Sequence, residues 1–159
     1  MALVTLLWAI WVPASGATAT ANLAVSTTVG NTCTISTTAL AFGAYDPIVT
    51  NASTALIGQG GVVLTCTKNA ATTIGLALGA NALASVRRMT DGATNYLTYE
   101  LYQDASSVQV WGTAGVALLT PAVAPSKAPR TFVVYGKVAG GQDVPSGTYT
   151  DTVVATVNF

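Results

Sequence analysis

Hydrolytic and transfer chemistry needs a titratable base beside a nucleophile, or a metal, and this chain holds few groups for either. It has no histidine and one glutamate, Glu100, with five aspartates: Asp46, Asp91, Asp104, Asp143 and Asp151. Asp91-Gly92 and Gln142-Asp143 read as turn formers, because an Asp side chain bonds backbone groups two residues on. Asp151 stands apart, on the nominally inward face of a strand near its start. A carboxylate there caps backbone groups or pairs with a cation. A metal centre lacks ligands, since there is no imidazole and Cys33 and Cys66 are the only thiols. No glycine cluster follows the strand–loop–helix order that cradles phosphate. The expectation is a protein that is not an enzyme, with no catalytic residues, no metal and no cofactor.

Binding chemistry is equally sparse. Six basic and six acidic residues give zero net charge, and charged residues are only 8% of the chain. Nucleic acid requires clustered cations to displace counterions, so no nucleic-acid partner is expected. Arg87-Arg88, the sole basic doublet, reads as a solvated loop. Trp111, Tyr96, Tyr102 and Tyr135 are candidates for an aromatic patch facing sugars or surfaces, although packing on an outer sheet or between subunits is the better expectation. Asn51-Ala52-Ser53 matches a glycosylation sequon too short to decide anything. Soluble domains usually carry about a quarter charged residues. A surface this neutral tolerates permanent neighbours.

The elements that must position these residues are strands. Period-two alternation recurs from Leu23 to Phe159, without a convincing helical period. Cys33 and Ile35 open a strand running towards Leu40 and Phe42; Val62, Leu64 and Cys66 form one stripe, and Ile74, Leu76 and Leu78 another. Leu97, Tyr99 and Leu101 share a face, as do Phe132, Val134 and Val138. The last run is the clearest, with Tyr149, Asp151, Val153, Ala155, Val157 and Phe159 on one side. Gly58-Gln59-Gly60-Gly61, Asp91-Gly92, Gly140-Gly141 and Pro145-Ser146-Gly147 read as turns. Thr120 to Pro129, with three prolines, reads as a loop. Some seven strands at this spacing predict an all-β, two-sheet sandwich in one domain.

Both ends are unusual for a sandwich. Met1 to Val12 is an apolar run suited to a signal-peptide core and too short to span a membrane. Small residues follow, so a signal peptide is expected over residues 1–17, with cleavage as late as Ala21. No Lys or Arg precedes the run, which means a start placed too far downstream or an atypical signal. In an exported chain Cys33 and Cys66 either pair or remain two buried thiols; pairing would add roughly 3–4 kcal/mol by the chain-entropy argument. A further strand-like segment, with Leu23, Val25, Thr27 and Val29 on one side, precedes the break at Gly30-Asn31. At the other end the chain is expected to stop within its best strand, leaving an open apolar groove. A surplus strand at one end and a deficit at the other suggest exchange between molecules.

The ending Gly147-Thr-Tyr149-Thr-Asp151-Thr-Val-Val-Ala-Thr-Val-Asn-Phe159 resembles the carboxy-terminal signature of the spore coat protein U domain, a family that includes Csu-type subunits of archaic chaperone–usher pili. Tyr99-Glu-Leu-Tyr102-Gln-Asp104, the two cysteines and Leu40-Ala-Phe42-Gly43 support the likeness, which spans residue 22 to Phe159. The resemblance implies an incomplete immunoglobulin-like sandwich lacking its last strand, completed by donor-strand exchange. It implies residues 18–30 as a donor extension and 31–159 as the pilin domain. Leu23, Val25, Thr27 and Val29 would be the donor strand; Cys33, Ile35, Val153, Ala155, Val157 and Phe159 would form the acceptor groove. Thr27 is less apolar than an inward donor position calls for. The implied partners are a periplasmic chaperone, an outer-membrane usher and neighbouring copies of the chain, with no membrane span. Export through the periplasm to the cell surface follows. The expected function is the major structural subunit of a pilus supporting adhesion and biofilm formation; a spore or cell coat protein and an adhesin-type binding module are the alternatives.

Overall fold

A computed structural model of the chain describes residues 15–159. Most of the expected signal peptide, residues 1–14, lies outside the described residues. Seven strands are present: β1 (Cys33–Ala41), β2 (Leu56–Cys66), β3 (Thr73–Leu76), β4 (Arg87–Thr90), β5 (Tyr96–Tyr102), β6 (Arg130–Val138) and β7 (Ala155–Asn158). The one helical element among the described residues is a single 3-10 turn, Gly115–Ala117. The strands form a five-stranded antiparallel sheet, β1-β2-β6-β5-β4, and a two-stranded antiparallel sheet, β3-β7.

Alternation decides which side chains go inside. Val62, Leu64 and Cys66 on β2, Leu97, Tyr99 and Leu101 on β5, and Val134 and Val138 on β6 all turn into the space between the sheets. Ile74 and Leu76 of β3 meet them from the other side. Each fully buried aliphatic side chain of this kind contributes about 1.5–3 kcal/mol.

Four expectations need correction. Gly58-Gln59-Gly60-Gly61 is no turn but the middle of β2. A Cβ on Gly60 would stand 2.8 Å from Leu40 Cβ and one on Gly136 of β6 2.7 Å from the Phe42 ring, so these glycines let β1 lay its apolar side chains on the sheet. Arg87 is buried in β4 rather than solvated, and Trp111 packs as expected but in the core, fully buried, rather than on an outer sheet or between subunits. Leu78 leaves the stripe of Ile74 and Leu76, lying past the end of β3 and 40% exposed.

The last expected strand is also shorter as a ladder. Only Ala155–Asn158 pairs regularly with β3; Gly147 to Val154 reaches the β3–β4 connection and β4 by scattered bonds. Ala77 N–H donates to Val154 O at 2.9 Å, Ala80 N–H to Thr152 O at 3.0 Å, and Thr90 and Thr150 exchange both bonds. The alternation persists through this irregular backbone: residues 149, 151, 153, 155 and 157 are half-buried and those between them exposed.

Candidate functional site

β1 closes one edge of the large sheet and β7 one edge of the small one. β1 pairs with β2 alone and β7 with β3 alone, so among the described residues each keeps a free backbone edge facing the other. Between them lies a cleft of about 480 Å³. Thr37 to Leu40 and Phe42 form one wall, Thr150 to Val153 and Ala155 the other, and core side chains Val62, Leu76, Leu101 and Val134 the floor. A second hollow of about 680 Å³, reaching Leu97, Val138, Val144 and Pro145, shares Leu40, Phe42, Met89 and Tyr149 with the first. The two make one groove whose floor is the apolar core itself. Unpaired edges beside apolar surface are what proteins ordinarily block with charge, proline or a bulge. β1 carries no charged residue.

One spot in the groove is polar. The Tyr99 hydroxyl donates to Asp151 Oδ2 at 2.7 Å, while Asn81 donates its backbone N–H (3.1 Å) and its amide (3.0 Å) to Asp151 Oδ1. Asp151 thus caps backbone, as its position suggested. Gly79, at φ +100°, lies so close that a Cβ would stand 2.0 Å from Asp151 Oδ2, so only glycine fits the turn that brings Asn81 to the carboxylate. Burial, and secondly the bond to Asp151, push the Tyr99 phenol well above its usual range. A carboxylate offers about four acceptor sites. Three are used here, and one, on a residue that lines the cleft, is not.

The leader is built differently. Residues 15–31 have no regular structure and are exposed throughout. Leu23, Val25 and Val29 are 88%, 86% and 79% exposed, and Thr27 is exposed as well. Three aliphatic side chains left in water at alternate positions are a costly arrangement for a chain without a partner. The leader joins the body at Thr32, which is tied to Thr67 by a backbone bond of 2.9 Å and a bond to the Thr67 hydroxyl of 2.9 Å. The next residue, Cys33, forms a disulfide with Cys66, its direct partner across β1 and β2.

Of the residues expected in a groove, Val153 and Ala155 line the cleft. Cys33 and Val157 pack against the core along the same two elements, while Ile35 and Phe159 are exposed there. Leu40, Phe42, Met89 and Tyr149 were missed. The first two belong to the motif Leu40-Ala-Phe42-Gly43, and their spacing two apart was the signal. Among the described residues no group of three or more His, Cys, Asp or Glu side chains is placed to hold a metal ion, and no helix is long and apolar enough to cross a membrane.

The folded body is therefore an all-β, immunoglobulin-like two-sheet sandwich with an open groove between two strand edges. The sequence matches the Spore Coat Protein U domain over residues 19–156, and the chain belongs to that family. It is 44% identical to Protein U of Myxococcus xanthus over 161 aligned positions, covering 92% of this chain and 88% of that protein. The fold is similar to a chain in the crystal structure of the CsuC–CsuE chaperone–tip adhesion subunit pre-assembly complex from archaic chaperone–usher Csu pili of Acinetobacter baumannii. That similarity has a TM-score of 0.61 at 20% identity and covers 83% of this chain. The chain spans only 41% of the length of that solved chain.

Proposed function

We propose that this protein is a structural subunit of a surface filament assembled by the chaperone–usher route, polymerising when one copy lends its leader to the groove of the next. Residues 18–30 are the donor extension and 31–159 the receiving pilin body. The observation that carries this is the groove: two free strand edges flank a cleft floored by core side chains, and one further strand would satisfy both. Leu23, Val25 and Val29 are the anchors, with Thr27 in line. Three aliphatic anchors contribute about 5–9 kcal/mol before ordering costs, and each ladder bond adds about 0.5–1.5 kcal/mol. Strand addition of this kind draws affinity from the backbone and specificity from alternate side chains. Donor and groove lie on different surfaces, so the contact is heterologous and propagates without closing.

The similarity to a chain crystallised in a chaperone complex supports a periplasmic chaperone as the groove's temporary occupant, with an outer-membrane usher exchanging it for the next leader. Export through the periplasm, with residues 1–17 as the signal, brings the fibre to the cell surface. There it acts as the major subunit of a shaft that supports adhesion and biofilm formation. A second reading, a spore or cell coat protein built through the same exchange, is favoured by the family's name and by the likeness to Protein U.

Substituting Val25→Asp tests the donor role, since it would bury an unpaired charge. Sheared surface material viewed by electron microscopy is expected to lose fibres containing this chain, while the soluble subunit persists. Deleting residues 18–29 is expected to leave a subunit that accepts a donor yet cannot extend a fibre. Fibres that persist from the deleted chain sink the proposal.

A further inference from the structure

Thr27 and Asp151 are the two misfits of this system: a hydroxyl among the aliphatic donor residues, and a carboxylate in an apolar groove. We infer that they meet, and that Thr27 of one copy, hydrogen-bonded to the Tyr99–Asp151 pair of the next, sets the register and direction of the donated strand. The inference rests on the strand-donation proposal and extends it to a single alignment.

Asp151 uses three acceptor sites on Tyr99 and Asn81 and keeps one. The Tyr99 oxygen, whose proton is committed to Asp151, keeps acceptor capacity too. Both residues line the cleft. Covering them with an aliphatic side chain would strip water from unfilled acceptors and leave them without a donor. A threonine hydroxyl supplies the missing donor and still presents a methyl group to the apolar wall.

Placing Thr27 opposite Asp151 fixes every other pair. With the donor antiparallel to the C-terminal segment, Val25 faces Val153, Leu23 faces Ala155, Val29 faces Tyr149 and Ala21 faces Val157. The largest donor side chain then meets the smallest groove residue, and the small Ala21 meets the larger Val157. A slip of two residues either way puts Val25 or Val29 over the carboxylate, and a slip of one turns the polar face of the donor inward. The parallel alignment sets Leu23 against Gly147, which is exposed, and leaves Val157 uncovered. A polar pair that costs little when matched and much when shifted is the best-attested use of a buried polar group.

The test uses fibres of the full chain and the rate at which they dissociate on heating in detergent. Thr27→Val is expected to speed dissociation about five- to tenfold or to abolish fibres, and Thr27→Ser to leave it near wild type. A groove that only wants apolar side chains gives the opposite sign, so fibres tightened by Thr27→Val overturn the inference. Fibres that survive Val25→Asp unchanged sink strand donation itself. Loss of fibres with Val25→Asp, together with tightening by Thr27→Val, sinks the register alone. Leu23→Cys combined with Ala155→Cys is expected to give an oxidised covalent ladder on a denaturing gel, whereas Leu23→Cys with Val157→Cys is not. A cross-link confined to the monomer would mean that the chain fills its own groove, and overturns the inference as well.

Discussion

Arg87 shows how one side chain can replace several backbone partners. Its guanidinium donates to the carbonyls of Leu76 (2.9 Å), Ala77 (2.9 and 3.1 Å) and Trp111 (2.7 Å) and pairs with Glu100. The Trp111 indole in turn donates to Ile74 O at 2.9 Å. These carbonyls belong to two segments, the end of β3 and the stretch at Trp111, and a fork of five donors suits them as an ammonium would not. Arg87→Ala is expected to lower unfolding stability by about 3–5 kcal/mol, read as a drop in the urea midpoint, because Glu100 and the buried carbonyls lose their partner. Tyr99 governs the alkaline limit. Its phenol is held above its unfolded value of about 10, so the folded state keeps the proton longer. That stabilisation is complete below about pH 10 and is lost as pH rises beyond it. Urea midpoints measured from pH 8 to 11 are expected to fall from about pH 10, less steeply in Tyr99→Phe; Tyr102 and Tyr149, also shifted upward by burial, supply the remaining slope.

Among the elements, β2 explains both what the sequence revealed and what it hid. Alternation marked Val62, Leu64 and Cys66 as one face, because a half-buried strand must place its apolar residues two apart. The same rule marked β5 and β6. Gly58, Gly60 and Gly61 misled because glycine serves both positive φ and close approach, and only the position of Leu40 and Phe42 shows which applies. Arg87 and Trp111 misled for a related reason: their partners lie 10 to 37 residues away, outside any local pattern. The groove's walls were half legible. Val153 and Ala155 follow from alternation in their own segment, whereas Met89 and Tyr149 join the groove only through the packing of β4 and the irregular stretch before β7. Gly60→Ala is expected to push Leu40 off the sheet and cost about 1–3 kcal/mol, since both Leu40 Cβ and Thr38 O stand in the way. Thermal unfolding of the subunit, compared with Gly43→Ala as a control for open space at positive φ, would separate the clash from backbone strain.

Taken whole, the molecule has a closed side and an open one. β2, β6 and β5 are paired on both edges, while β1 and β7 each leave an edge free beside the groove. β1 is thus held along one edge only, and it is also the strand continuous with the leader. Cys33–Cys66 encloses a long loop, sequence separation 33, and its reduction is expected to cost about 3–4 kcal/mol of subunit stability, measurable as a lower urea midpoint in thiol reductant.

The place of that bond matters more than its free energy. In a fibre joined as proposed, any tension along the axis enters each subunit through Val29 and Thr32 and reaches β1 at its first residue. Without a cross-link the load would peel β1 from β2 one backbone bond at a time, starting at Cys33. A covalent rivet at the first rung passes the pull directly into β2, which is paired on both sides. The strand that must stay open to receive a neighbour is thereby kept from being torn away by the one it is lent to.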